Sequence, residues 1–585
     1  MRPRRWSIIA TILCELVTGC ATVPAARPAE TLCPSSPVVL VFFVDGLSAT
    51  VLTRMVGQGG LPNIRSEFID GGVTVQYAVS SLPPVTYPNA VSLITGLYPG
   101  HHGVLGNRWF DRPARLVRDY GQVATYQMVN GDFTCPTVFE LLADRWTVNV
   151  QGHTRRGVSL TLDNKIASGV SWVLGDYSDV DARVGACVDR VIGAADGRRP
   201  AVYMSYFPGV DEVGHRDGCD SDAYADALRV ADGAIGRILR TAHRVWSAPV
   251  YSVLVSDHGQ VASPPVHRID LAGALSQIGL SVYQGPLQSH LRTLRAWALR
   301  GADAVVVIGA DRRAAIHLRG PDGWDQPADP ELVHRVIGAI NDRWHNPDAG
   351  VWNSVDLMCM RSPDGSIKIW GPHGTARIER RGCGRGAAYR LTVGIDSTVH
   401  RTVTADGGAD DPTVMRDIST IATPVTVSPA TDSSASADPL GYTRDAKRAR
   451  FVARGWHDSR DWLAATCASS YPDFVPQVVA MFDSPRAGDI VLFAADDYAL
   501  TTQSVGGHGS ALRRDMEITL YWSGPDLPAG GRVPCARLVD VAPTMLDILG
   551  IRHTPAIEAM DGLSLLAALR TATGQTTTGQ TAAGR

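Results

Sequence analysis

Pro37 is followed by Val-Val-Leu-Val-Phe-Phe-Val and then Asp45-Gly46, an unbroken apolar run closed by an acid and a glycine. A short run without polar alternation suits a strand buried on both faces of a parallel sheet. The pattern recurs at Ala201–Phe207, leading into Gly209-Val-Asp211-Glu-Val-Gly-His215, and at Pro249–Ser256, leading into Asp257-His258-Gly259. Open α/β sheets place their sites at strand carboxyl ends, which is where Asp45, Asp211 and Asp257 fall. Between the last two runs, Ser221 to His243 carries Leu228, Ala231, Ile235 and Leu239 at helical spacing. From Pro83 to Asn107, three prolines surround Thr86, and a helical pattern from Asn89 to Thr95 stops at Gly96, Pro99 and Gly100. A hydroxyl at the head of that helix meets unpaired N–H groups, which favour a phosphoryl oxygen or an alkoxide.

Beyond about residue 285 the pattern changes. Ala304 to Arg319 predicts strands around a turn, Pro330 to Trp344 a helix, and 351–395 a strand-rich stretch with Gly/Pro turns. Residues from about Thr402 to Asp438 are rich in Thr, Ser, Ala, Asp and Gly, and predict a loop. Apolar runs return at Gly488–Ala495 and Met516–Gly524, and a closing helix covers Val539 to Leu549. The expectation is one α/β core split by a long mixed insertion. Its parts are a core from 38–285, an insertion or cap over 286–470 with a flexible segment at about 402–438, a second core part over 471–570, and a disordered tail at 571–585.

With 585 residues and 45% hydrophobic content the chain can bury a large core, and a net charge of −3 argues against specific nucleic-acid binding. Residues 1–20 add a signal: Arg2, Arg4 and Arg5 precede a short apolar run, then Val17-Thr18-Gly19-Cys20. The run is too short to span a bilayer. It resembles a bacterial lipobox, with Cys20 the lipidated first residue and 21–37 a tether. That implies an exported protein of the cell envelope held at a membrane surface by a lipid anchor, with plain secretion as the alternative. Eight cysteines follow Cys20, and an even number in an exported chain predicts disulfides, Cys359–Cys383 among them.

Asp45, Thr86, Asp211, His215, Asp257, His258 and His508 together supply carboxylates, imidazoles and one hydroxyl, a donor set suited to zinc or a similar divalent ion. The ordered motifs FVDG, TYPNAVSLITGLYPGHHGVLGN, DEVGH, SDHG and GGHGS resemble those of the alkaline phosphatase superfamily, and within it the nucleotide pyrophosphatase/phosphodiesterase family. The resemblance implies a three-layer α/β/α core with a mainly parallel central sheet and two zinc ions per chain. It implies that Asp45, Asp257, His258 and Thr86 hold one zinc, and Asp211, His215 and His508 the other. Thr86 would be the nucleophile, passing through a phosphothreonine, and Asn107 would bind a non-bridging phosphoryl oxygen. Tyr87 and Tyr206 match aromatic positions that grip a nucleobase, which implies a small phosphorylated substrate such as a nucleotide.

Rival readings rest on the same motifs. A sulfatase would carry Cys or Ser where Thr86 stands, in the pattern C/S-x-P-x-R, and Thr86-Tyr87-Pro88-Asn89-Ala90 lacks both that nucleophile and the arginine. A phosphonate hydrolase shares the threonine and metal pattern. A phosphomonoesterase would need extra cations, for which Lys165, Arg155 and Arg156 are the nearby residues. A non-catalytic anchored binding protein conflicts with every donor position being filled. His101 and His102 read as structural, and His153, His243, His267 and His373 take no role.

Overall fold

The computed structural model describes residues 36–574, apart from 123, 164–170, 172–173, 196–197, 263–269, 286, 288–290, 345–353, 395–400, 403–423, 426–437, 497 and 501–503. The signal, the tether to residue 35, Cys20, Cys33, Lys165, His267, most of the 402–438 segment and the tail from 575 therefore lie outside the described residues.

The first sheet is built from β1 (Val38–Val44), β2 (Val73–Val79), β3 (Thr147–Val150), β4 (Val202–Phe207), β5 (Val250–Val255), β6 (Leu520–Ser523) and β7 (Gly531–Arg537). Their order across it is β7-β2-β6-β5-β1-β4-β3, with short strands at Thr573–Gly574 and Leu160–Leu162 on the two edges. The half from β5 through β1 and β4 to β3 is parallel. On the other side β6 runs antiparallel to both β5 and β2.

The helices that bear on the site are α1 (Thr86–Thr95), α2 (Tyr177–Ala194), α3 (Gly209–Asp217), α4 (Asp222–Val245) and α5 (Val541–Ile548). The apolar run of β1 now has its reason. Val39, Val41 and Phe43 enter a core shared with α1 and α5, whereas Val38, Leu40, Phe42 and Val44 enter a core shared with α2 and α4. Successive strand side chains point to opposite faces, so a strand covered on both sides needs apolar residues throughout. Truncating Phe42 or Phe43 to alanine costs roughly 3–5 kcal/mol through the cavity it leaves. Leu228, Ala231, Ile235 and Leu239 of α4 all lie in the second core. The three-layer α/β/α arrangement expected from the motifs is present.

A second, nine-stranded sheet holds the chain between the two parts of the core. Beside the short edge strand Val282–Tyr283 it holds the hairpin Ala304–Ala310/Arg313–Leu318, carries the helix Pro330–Trp344, and pairs Ile367–Gly371 with Gly374–Arg381 around the turn the sequence suggests. One apolar run falls elsewhere than expected. Ile490–Ala494, read as a return to the core, lies inside the second sheet between Arg313–Leu318 and Val355–Arg361. Val491 and Phe493 face one apolar cluster, and Ile490, Leu492 and Ala494 another. Its pattern signals burial on two faces, a condition that both sheets satisfy.

The expected disulfides are not formed: the described cysteines, Cys135, Cys187, Cys219, Cys359, Cys383, Cys467 and Cys535, are all unbonded. Cys359 stands opposite Ile369, and Ile369 opposite Ala376. Cys383 lies seven residues farther along, about 23 Å at strand rise. The thiols of Cys467 and Cys535 lie close enough to influence each other's ionisation. Among the described residues, no helix is long and apolar enough to cross a membrane.

Candidate metal centre and active site

Asp45 follows β1, and Asp257 and His258 follow β5, the neighbouring parallel strand. Asp211 and His215 sit four residues apart on α3, just beyond β4, and so share one helix face. His508 follows a two-residue strand, Gly506–Gly507, paired with Val261–Ala262. The glycine after Asp45 is required: Gly46 has φ +60°, and a Cβ there would collide with Asp211 Oδ1. Thr86 opens α1, where the first N–H groups lack intrahelical partners.

These residues gather into two groups, Asp45/Asp257/His258 and Asp211/His215/His508. Within each, one potential ligand atom per residue lies within 4.8 Å of the others. In the first, His258 Nε2 is 3.3 Å from Asp45 Oδ1, 3.2 Å from Asp257 Oδ2 and 3.3 Å from Thr86 Oγ1. In the second, His215 Nε2 is 3.2 Å from Asp211 Oδ2. The His258 and His508 rings stack at 3.5 Å, joining the two groups.

The orientation of each imidazole is set from behind. Nδ1 of His258 lies 2.9 Å from the Gly259 carbonyl, Nδ1 of His508 2.9 Å from that of Pro84, and Nδ1 of His215 3.0 Å from that of Gly506. With Nδ1–H donating to a carbonyl, each ring turns its Nε2 lone pair into the site.

The residues fit zinc. Asp45 Oδ1 and Asp257 Oδ2 are buried and accept no hydrogen bond, although both point at His258 Nε2. Donors about 2.0–2.1 Å from a shared tetrahedral centre stand about 3.3–3.4 Å apart, close to the spacing of these atoms. Charge points the same way. Burial and the neighbouring Asp45 carboxylate raise the Asp257 pKa well above the carboxylate range. Burial lowers that of His258, yet Asp257 and Asp45 outweigh it and raise it to about 10. The site carries more negative charge than its own side chains neutralise, and a divalent cation meets that need. Burial and the adjacent His258 lower His508 to about 4, keeping it neutral and able to ligate.

The other expected site residues are close by. Asn107 accepts the Tyr87 N–H through Oδ1 at 3.1 Å, so its NH2 is the end available to donate. The Tyr206 hydroxyl donates to Asp45 Oδ2. Tyr87 and Tyr206 both touch the ring of His153, at 4.8 and 4.5 Å between centroids. His101 binds Asp561 and Asp483, and His102 binds Ser92, in structural contacts.

Three residues at the site were missed. Gln260 donates to Asp211 Oδ1 at 3.1 Å. Asp311, in the hairpin turn of the second sheet, places Oδ2 3.1 Å from His215 Nδ1. His153 fills the space beside the two tyrosines. Gln260 stands two residues beyond His258 and so was findable by proximity. Asp311 and His153 carry no sequence signal, because tertiary packing alone brings them in.

The sequence pattern of the type I phosphodiesterase / nucleotide pyrophosphatase family matches residues 39–346, which include all of the expected site residues but Cys20 and His508. The chain belongs to this family. An uncharacterised pyrophosphatase/phosphodiesterase of Schizosaccharomyces pombe is 25% identical over 355 residues, covering 57% of this chain and 67% of that one. The ectonucleotide pyrophosphatase/phosphodiesterase family member 3 of Rattus norvegicus is 23% identical over 282 residues, covering 47% of this chain but only 31% of its own length. Thus the chain spans about a third of the length of this longer relative. Murine ectonucleotide pyrophosphatase/phosphodiesterase 5 superposes with a TM-score of 0.51 over 91% of this chain and 98% of its own, at 13% identity, a likeness of fold.

Proposed function

We propose that the chain is an exported, metal-dependent phosphodiesterase that cleaves phosphodiester or pyrophosphate bonds through a phosphothreonine at Thr86. The observation that carries this reading is the placement of Thr86 Oγ1 3.3 Å from His258 Nε2, at a helix N-terminus and beside two unpaired carboxylate oxygens. Asp45, Thr86, Asp257 and His258 would hold one zinc, and Asp211, His215 and His508 the other. Zinc ions there would supply Lewis-acid charge, making a hydroxyl nucleophilic near neutral pH and stabilising a leaving oxygen.

The chain's own residues do the rest. Thr86 Oγ1 attacks phosphorus in line, its P–O bond forms, and the bond to the departing alcohol or phosphate breaks. Asn107 NH2 and the Thr86 N–H hold a non-bridging oxygen as charge grows on it. Water then attacks the phosphothreonine, the bond to Oγ1 breaks, and Thr86 regains its proton. The balance is diester plus water to monoester plus alcohol, with configuration retained at phosphorus after two displacements.

One observation favours diesters over monoesters, whose extra negative charge calls for a further cation. Arg155 pairs with Asp163, and Arg156 pairs with Glu140 at 2.9 Å, so both guanidiniums already have carboxylate partners.

Zinc analysis of purified protein is expected to give two ions per chain, with activity on an aryl diester lost on chelation and restored by zinc. One ion or none with full activity refutes the two-metal site. Inversion at a chiral phosphorus refutes the covalent route. The lipobox-like Val17–Cys20 supports a lipid anchor; Cys20→Ala is expected to abolish fatty-acid labelling, and labelling that persists rejects it.

A further inference from the structure

His153 stands in the turn after β3, and the backbone on both sides of it is tied down. Asn149 accepts the Gly152 N–H at 2.8 Å and donates to the Thr154 carbonyl at 3.0 Å. Asn130 donates to the His153 carbonyl at 2.9 Å, and Thr154 Oγ1 to that of Ala90, in the nucleophile helix, at 3.2 Å. The imidazole is thereby held against three rings: Tyr87 at 4.8 Å, Tyr206 at 4.5 Å and Tyr126 at 5.9 Å. Two of these rings are joined to the reacting centre, Tyr87 by the peptide bond to Thr86 and Tyr206 by its hydrogen bond to Asp45. Whatever lies between them lies beside the phosphorus.

Both ring nitrogens of His153 are buried and have no hydrogen-bond partner. Burial also lowers its pKa to about 4, so the ring is neutral, with one N–H and one lone pair unmet. An apolar ring of the same size would fill this space without that desolvation penalty. Packing alone therefore gives no reason for an imidazole here, whereas a substrate oxygen does.

We propose that His153 is a specificity-determining residue: its ring occupies the space between Tyr87 and Tyr206, so the site takes phosphodiesters whose second ester group is short and hydroxylated, and turns away a stacked nucleobase. The inference rests on the diester reading and refines its substrate class. A base would have to displace the ring to stack on either tyrosine, while a glycerol-sized group would offer oxygens to its nitrogens.

The test uses the zinc-loaded full chain and two p-nitrophenyl diesters with the same leaving group, one of glycerol and one of thymidine. The wild type is expected to prefer the glycerol ester. In His153→Ala the thymidine-to-glycerol ratio of kcat/KM is expected to rise about 10-fold or more, the scale of one stacking contact. His153→Phe refills the space without polar atoms, so the ratio stays low while KM for the glycerol ester rises about 5-fold or more. A ratio in His153→Ala within 2-fold of wild type, with zinc content and melting temperature preserved, overturns the proposal. Should His153→Ala not fold, His153→Asn, smaller but still polar, is expected to raise the ratio in the same direction, and an unchanged ratio there overturns it equally. If the wild type hydrolyses neither diester, the diester reading falls. Calorimetric affinities for thymidine 5′-monophosphate and glycerol phosphate then decide the role of His153 by the same ratio.

Discussion

Asp45, Asp257 and His258 hang directly from β1 and β5, and no solvent reaches the His258 side chain, at 0% exposure. Asp211, His215 and His508 use the same residue types, yet His215 is 24% exposed and leans on the turn of the second sheet. There Asp311 faces His215, and the Arg312 N–H donates to the His508 carbonyl at 3.0 Å. The first group is built by the core alone, the second by the core and a neighbour. Two sets of donors in one site can therefore differ in how readily they are disturbed.

The largest effect is expected at the first group. Thr86→Ala should lower kcat for diesters by at least about 1,000-fold, as loss of a nucleophile does, while both ions stay bound. Metal loss in that variant would make Thr86 a structural ligand instead. Asp257→Asn should remove one ion, with affinity down by more than about 100-fold and the other ion retained, as read by chelator competition. If both ions leave together, the two groups are not separable and the contrast between them fails.

At the second group, Asp311→Asn should weaken one ion by about 10–100-fold, the usual effect of losing a carboxylate behind a ligating histidine. Asp311→Glu should recover part of it, and the first ion should be unmoved. An unaltered second ion would mean that the Gly506 carbonyl alone orients His215.

The smallest effect concerns docking. His101 joins Asp561 of the core to Asp483, at the end of the helix Phe474–Asp483, which packs on the second sheet. Burial lowers its pKa, but Asp483 and Asp561 outweigh that and raise it to about 10. A raised folded-state pKa gives stability that is complete below the unfolded value of about 6.5 and is lost as pH climbs towards 10. Melting temperature should fall across that window in the wild type and fall less in His101→Gln; equal slopes would remove His101 from the docking contact.

The contrast also explains what could be read in advance. Asp45, Asp211 and Asp257 follow apolar runs whose length and closure reveal a strand end, so core and donors were legible together. Ile490–Ala494 has the same kind of run but joins the other sheet, because burial on two faces does not say which two. Asp311 and His153 act through neighbours distant in sequence, and single-residue patterns hold no trace of such contacts. The disulfide expectation counted cysteines, whereas pairing depends on register, which sets Cys359 and Cys383 far apart.

Gly506, Gly507 and His508 enter the site nearly 250 residues after His258, so the second group closes a long loop of chain that contains the second sheet. As the chain emerges from its N-terminus, all four residues assigned to the first ion are present by residue 258. The second group is complete only with the hairpin turn at Asp311 and with His508. Yet the scaffold of the first group is itself completed from beyond residue 508, since Leu520–Ser523 pairs with Val250–Val255 and Gly531–Arg537 with Val73–Val79. Both groups of donors therefore depend on the same late segment, the first through its strands and the second through His508 itself.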